Sequence, residues 1–425
     1  MEPPPYSLAE RDRRWALARE LMAAEDVEAL VAYGGRECAG GLAFAPDAYF
    51  SNNRPGSVVI FCRDEDPVQL VWADQSLASP RELGIRGDKM WIDPARTHAG
   101  RVLRHGMNAA GVVEVLRERH LERAVVGLLG PEVSPPCQLD LGLPYRRLQE
   151  VLEELPGVVF RPVGQGFVRA AIRLSGEELA VLRYCAAAGE AMARAMAEAA
   201  APGMTDADVC AAGIAPALRL GCQTPPIPMW SGPGLAAGGA PVWSCRPGPP
   251  RVLSEGDVLL AGPVSRLGTM ETRHPLAISI GGPHPDVETA AVIARASYEA
   301  GLRAARVGNT VGDLAEAMLA PLKISGARPV HSLMYALTPL GPAGGYGAPG
   351  QIAGACCCGW LPWIPAISDD LSLAPGMPWA FGPSAVVGTG AVTLGGTIVI
   401  ADDGPIELNP FTARLVRIGA SPSAG

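Results

Sequence analysis

The chain has 425 residues, 48% of them hydrophobic, and a formal net charge of −8. Its length suits two domains or one large one with a sizeable core, and the acidic balance argues against a nucleic-acid binder, which would present a basic face. No run reaches membrane-span length, no secretory signal is visible, and the ten cysteines lack the spacing of a disulfide framework, so a reducing cytoplasm is the expected setting.

In chain order, the spacing of Leu8, Trp15, Ala16, Leu21 and Met22 predicts a helix from Ser7 to about Glu25. Val27–Tyr33 reads as a strand, and the apolar runs Ser57–Cys62 and Val68–Trp72, separated by Arg63–Asp66, read as a hairpin. A helix over Gly106–Arg119, a buried strand over Arg123–Leu129 and a short helix over Leu148–Glu154 follow. This alternation fits a smaller α/β domain over residues 1–165. Ser175 and Glu178 then stand at capping-box spacing and open a long helix that runs to about Ala201.

The second part of the chain repeats itself. Pro202–Val209 matches Val307–Leu314: a helix ends at Gly203 or Gly308, and Thr205 or Thr310 caps the next helix, with Asp208 or Asp313 three residues on. Leu253–Pro263 matches Leu373–Pro383, each a glycine turn, a short apolar strand and a Gly-Pro pair. Both matches occur in the same order at wide spacing, which indicates an internal duplication and not a solenoid.

These motifs resemble those of the creatinase, aminopeptidase P and prolidase family. Arg173–Arg183 is similar to that family's linker-to-helix signature, Ser254–Val258 to the start of its metal strand, and Ala401–Leu408 to its closing hairpin. The resemblance implies an α+β pita-bread domain with a pseudo-twofold repeat over 173–425, a smaller α/β domain before it, and a homodimer. It also implies a dinuclear metal site built from two Asp, one His and two Glu. At those positions this chain has Gly262 for the first Asp and Met270 or Glu271 for the second. Gly382 replaces the first Glu and Gly395 or Gly396 the second, so at best His331 and one displaced Glu remain; a second His common in the family is Thr338. No dimetal centre and no cofactor are therefore expected. Creatinase works without metal through a loop histidine, but the corresponding segment here, Pro241–Arg246, offers Cys245 instead.

His331 is the leading candidate for acid/base chemistry, since a neutral imidazole transfers protons near pH 7; the competing reading is a residual core histidine. Glu271 could pair with it, and Arg273 could bind a substrate carboxylate, against the alternative of a structural Glu–Arg ion pair. Strand alternation puts Glu271 and Arg273 on one face and His274 on the other. Cys245 is a weaker catalytic candidate. Trp230, Trp243, Tyr335, Trp379 and His274 are expected around the substrate pocket, although tryptophans could equally plug an emptied site. Cys356, Cys357 and Cys358 are adjacent, cannot all face one metal, and read as small buried residues.

The function these residues suggest is a metal-independent enzyme acting on a small amino-acid-like or heterocyclic molecule. The reaction would be C–N hydrolysis, elimination or cyclisation, in a setting such as bacterial specialised metabolism. The competing reading is a catalytically inactive pseudopeptidase that binds a ligand or a protein. A metal-dependent Xaa-Pro peptidase would require bound metal to rescue it.

Overall fold

The computed structural model describes residues 2–34, 45–53, 55–71, 91–92, 97–98, 109–130, 145–234, 241–339, 341–346 and 367–419. The cysteine triplet at 356–358 lies outside them. Helices begin where local chemistry satisfies the N–H groups that a helix start leaves unpaired. Ser7 Oγ accepts from Glu10 N at the start of Leu8–Ala24. Capping boxes of Ser175 with Glu178, Thr205 with Asp208 and Thr310 with Asp313 open Gly176–Ala199, Asp206–Arg219 and Val311–Ser325. One cap was not expected: His284 Nδ1 accepts from Asp286 N and starts Pro285–Ala304.

The first part of the chain builds a six-stranded mixed sheet from β1 (Ala29–Tyr33), β2 (Val58–Cys62), β3 (Val68–Leu70), β4 (Thr97–His98), β5 (Val125–Leu129) and β6 (Val159–Pro162), in the order β4-β3-β2-β1-β5-β6. The expected hairpin is β2–β3, and β1, β5 and β6 run parallel. A buried ionic network joins the first helix to the second part. Arg14, only 1% exposed, bonds Glu10 and lies 3.3 Å from Glu178, while Arg13 reaches Glu178 at 2.9 Å. The rings of Tyr6, Tyr49 and Trp91 enclose the Arg14 guanidinium at 4.1, 4.3 and 5.2 Å.

The second part is two copies of one unit. The strands β7 (Met229–Gly232), β8 (Val258–Ala261), β9 (Val264–Leu267), β10 (Met270–Arg273) and β11 (Leu276–Ile280) form the first. In the second copy an extra strand, β13 (Gly341–Tyr346), follows β12 (Met334–Thr338) and pairs with it. The second copy uses β12, β14 (Pro378–Phe381), β15 (Ser384–Val387), β16 (Gly390–Thr393) and β17 (Gly396–Ala401). With β18 (Gly404–Glu407) and β19 (Val416–Ile418) the sheets read β19-β11-β8-β7 and β13-β12-β14-β17-β18, plus the hairpins β9–β10 and β15–β16. The repeat extends to single hydrogen bonds. Gly256 N donates to Ile280 O as Gly376 N does to Ile400 O, and His274 N donates to Pro263 O as Leu394 N does to Pro383 O.

One face of each sheet packs on helices. Trp379 and Phe381 are fully buried there; Phe381 meets Tyr298 of the helix Pro285–Ala304 edge-on at 6.0 Å. Because side chains alternate along a strand, Ala380 and Gly382 face the opposite way. Tyr335, paired directly with Ala380, shares that second face.

Candidate functional site

His331 lies in the segment just before β12, outside the strand itself. Its backbone is held by the buried Ser384 hydroxyl, which accepts from Val330 N at 2.8 Å and from His331 N at 3.4 Å. The imidazole bonds Ser332 O through Nδ1 at 3.0 Å and Thr393 Oγ1 through Nε2 at 3.1 Å. Solvent reaches the ring, yet surrounding protein desolvates it enough to lower its pKa, partly offset by the Ser332 carbonyl. The ring is thus a solvent-facing group crowded by its neighbours, and the space before it is the candidate recess. A Cβ placed on Gly382 would sit 3.8 Å from His331 Cε1 and 3.4 Å from Pro275 Cγ, so the former carboxylate position opens onto this histidine.

Two further members come from the same face. Tyr335 is partly exposed, and the Arg273 guanidinium lies 5.6 Å from its ring centre. Under the repeat, Tyr335 corresponds to Trp230, which pairs with the half-buried Leu260 as Tyr335 pairs with Ala380. The corresponding face of the other sheet therefore also carries an aromatic side chain.

Glu271 and Arg273 share a face of β10, as alternation predicts, but Glu271 is not poised for proton transfer. Arg266 Nη2 donates to its Oε2 at 2.6 Å, and Arg273 donates to its Oε1 from Nε at 3.0 Å and Nη2 at 2.7 Å. Burial alone would raise its pKa, but Arg273 and Arg266 outweigh that and hold the carboxyl below its usual range. The expected Glu271–His331 pair is thus not formed: both carboxylate oxygens are taken by guanidinium groups, and both imidazole nitrogens have other partners. Arg266 was not anticipated from the sequence, although it stands opposite Glu271 in the β9–β10 hairpin.

Other candidates fall elsewhere. Trp379 belongs to the helix-side core and is 0% exposed, so it neither contacts a ligand in the recess nor fills it. Trp243 packs against the core of the first half. Cys245 ends the short helix Val242–Cys245, is exposed, and has Ser244 Oγ 3.7 Å from its sulfur, with no base beside it among the described residues.

His274 is also outside the recess. It is fully buried, bonds Thr272 Oγ1 at 2.9 Å, and occupies space left by Gly189, where a Cβ would come within 1.9 Å of its Nε2. Burial, with repulsion from Arg273, lowers its pKa to about 3. An unfolded histidine titrates near about 6.5, so between those values the unfolded chain binds a proton that the folded chain does not. Stability should therefore fall as pH drops from about 6.5 toward 3, by up to about 1.4 kcal/mol per pH unit. Buried Asp47, raised to about 6 by desolvation, acts in the opposite sense, favouring the folded state as pH falls from 6 toward about 3.8. Urea titrations from about pH 7 to about 4.5 should show a shallower acid loss for His274→Asn than for the parent. Parallel curves would refute a neutral buried imidazole.

The residues do not fit a dimetal centre. Among the described residues, no group of three or more His, Cys, Asp or Glu could hold a metal ion. At the second glutamate position the backbone itself is incompatible: Gly395 has φ +143°, and a Cβ there would lie 2.1 Å from Phe381 O. At Gly396 a Cβ would meet Asn409 Nδ2 at 2.7 Å.

Two sheets wrapped by helices around a twofold-related recess, with a preceding α/β domain, define a pita-bread peptidase-type protein. The family model for metallopeptidase family M24 matches residues 180–402, and the protein belongs to that family. Among solved structures it resembles dipeptidase PepE from Mycobacterium ulcerans, at 17% identity and TM-score 0.68, covering 98% of this chain and 100% of that one. It also resembles a prolidase from Thermococcus sibiricus, at 11% identity and TM-score 0.70, covering 96% and 99%. A variant of Escherichia coli aminopeptidase P in complex with substrate matches at 16% identity and TM-score 0.65, covering 96% of each chain. At such identities the likeness establishes the fold. No curated protein sequence matches the chain. No helix among the described residues is long and apolar enough to cross a membrane.

Proposed function

We propose that this M24 protein is a metal-independent enzyme acting on a small amino-acid-like or heterocyclic molecule, with His331 as its proton-transfer group. The observation that carries this reading is the hydrogen bonding of His331. The Ser332 carbonyl can only accept, so Nδ1 bears the proton and Nε2 presents its lone pair. Lowering of the imidazole pKa by desolvation keeps the ring neutral, and so able to accept a proton, at pH 7. Arg273 and Tyr335 suit a substrate with a carboxylate or a planar group. C–N hydrolysis is the reaction favoured here, with elimination and cyclisation as variants of the same acid/base step.

The test is turnover of a panel of aminoacyl amides, N-acyl amino acids and small lactams, followed by mass spectrometry with and without EDTA. Turnover should be insensitive to chelation and should fall about 10²- to 10⁴-fold in His331→Asn. EDTA-sensitive turnover, or two equivalents of divalent metal in the purified protein, would overturn metal independence. Unchanged turnover in His331→Asn would remove the histidine from the chemistry.

A further inference from the structure

Thr393 ends β16 and is partly exposed on the side of His331. Under the repeat it occupies the place of Arg273: Thr393 pairs with Ser384 as Arg273 pairs with Val264. The histidine tautomer fixes where its hydroxyl proton lies. Because Nδ1 donates to Ser332 O, Nε2 has no proton to give, and the 3.1 Å contact must be Thr393 O–H donating to Nε2. A hydroxyl bonded to an imidazole whose other nitrogen is fixed by a third group is the arrangement of an activated oxygen nucleophile. Here a backbone carbonyl replaces the carboxylate that commonly orients the base. Threonine adds stiffness, since its branched Cβ restricts χ1 and holds the oxygen on the histidine.

We propose that Thr393 is a nucleophile and His331 its base, forming a dyad that takes an acyl group from an amide or ester bearing a carboxylate. The proposal rests on the reading of His331 given above. In the first half-reaction Thr393 Oγ1 forms a bond to the substrate carbonyl carbon while its proton moves to His331 Nε2. The C–N bond then breaks, and the leaving nitrogen takes that proton. In the second half-reaction water gives a proton to Nε2 and its oxygen attacks the threonine ester, releasing the acid and restoring the Thr393 hydroxyl. The sum is hydrolysis, with no oxidant or reductant. The carboxylate preference comes from Arg273. Its recorded bonds use Nε and Nη2, and its other N–H donors meet no acceptor among the described residues, though solvent reaches the side chain.

The probes are p-nitrophenyl acetate and mono-p-nitrophenyl succinate. The full-length protein should release nitrophenolate in a burst and gain one acyl group, located by peptide mass spectrometry to Thr393. The succinyl ester should react about 10- to 100-fold faster than the acetyl ester, the range of one charge-assisted hydrogen bond. Thr393→Val should abolish the burst, Thr393→Ser should retain it, and His331→Asn should slow it about 10²- to 10⁴-fold. Retention in the serine variant separates chemistry from a folding defect. Acylation at another residue, or a burst that survives Thr393→Val, overturns the dyad. If His331→Asn alone abolishes amide turnover while Thr393→Val does not, the nucleophile falls and the general base stands; if neither variant matters, both fall.

Discussion

Glu178→Ala should lower the unfolding free energy by about 3–5 kcal/mol, the cost of removing one partner from a buried ion pair. The glutamate does two things at once. Its Oε2 closes the capping box on Ser175 N at 2.9 Å, a contribution of about 1 kcal/mol. It also neutralises Arg14, which is 1% exposed and walled in by Tyr6, Tyr49 and Trp91. Without Glu178 the guanidinium keeps Glu10, already shared with Arg13, and the neutral Tyr49 carbonyl. Glu178→Gln separates the two roles, because glutamine still fits a capping box but carries no charge. It should retain the cap and lose most of the ionic part. Urea unfolding of the three proteins measures this directly. An Ala variant within about 1 kcal/mol of the parent would mean that the network is solvated and adds little.

That network was not legible in the sequence, whereas the capping box on which it rests was. Ser175 and Glu178 are neighbours along the chain, so their pairing follows from spacing. Arg13 and Arg14 meet Glu178 only through the fold. The same division runs through the recess. Period-two alternation correctly separates Glu271 and Arg273 from His274, because β10 is a regular strand. The same counting excludes Trp379 from the recess, since it stands an odd number of residues before Gly382; its nearness in sequence to the lost carboxylate says nothing about which face it takes. Thr393 carries no local signature. Its one signal is equivalence to Arg273 under the duplication, and the partner that gives it meaning lies 62 residues away in sequence. Turns, caps and repeats are local or self-similar and can be read directly. Which side chains converge depends on long-range pairing that no window of sequence contains.

Gly395→Ala should be strongly destabilising, while Gly262→Ala should be neutral or stabilising by up to about 1 kcal/mol. By the resemblance, Gly262, Gly382 and Gly395 or Gly396 stand where the family has carboxylates, and the three places differ in the room they offer. At Gly262 a Cβ would find nothing nearer than Pro228 Cγ at 3.8 Å, and at Gly382 nothing nearer than Pro275 Cγ at 3.4 Å. Neither glycine has a positive φ, so alanine there mainly restricts the unfolded chain, a gain of about 0.4–1 kcal/mol. Gly395 differs in kind. Its φ of +143° suits glycine alone, at a cost of about 1–3 kcal/mol for another residue. The Cβ would also press on Phe381 O at 2.1 Å, in backbone fixed by the β14–β17 pairing. Asn409 seals the adjoining position, donating to Arg273 O at 3.3 Å and accepting from Thr397 N at 2.7 Å. A side chain therefore cannot be returned at Gly395 without moving the backbone at Phe381. A Gly262→Asp, Gly382→Glu variant should fold, and elemental analysis should find fewer than two equivalents of Mn²⁺, since the second Asp and the second Glu of the family's set are still missing. Denaturation midpoints for the three single alanine variants decide the matter: a Gly395→Ala protein as stable as Gly262→Ala would mean that the second glutamate position remains open.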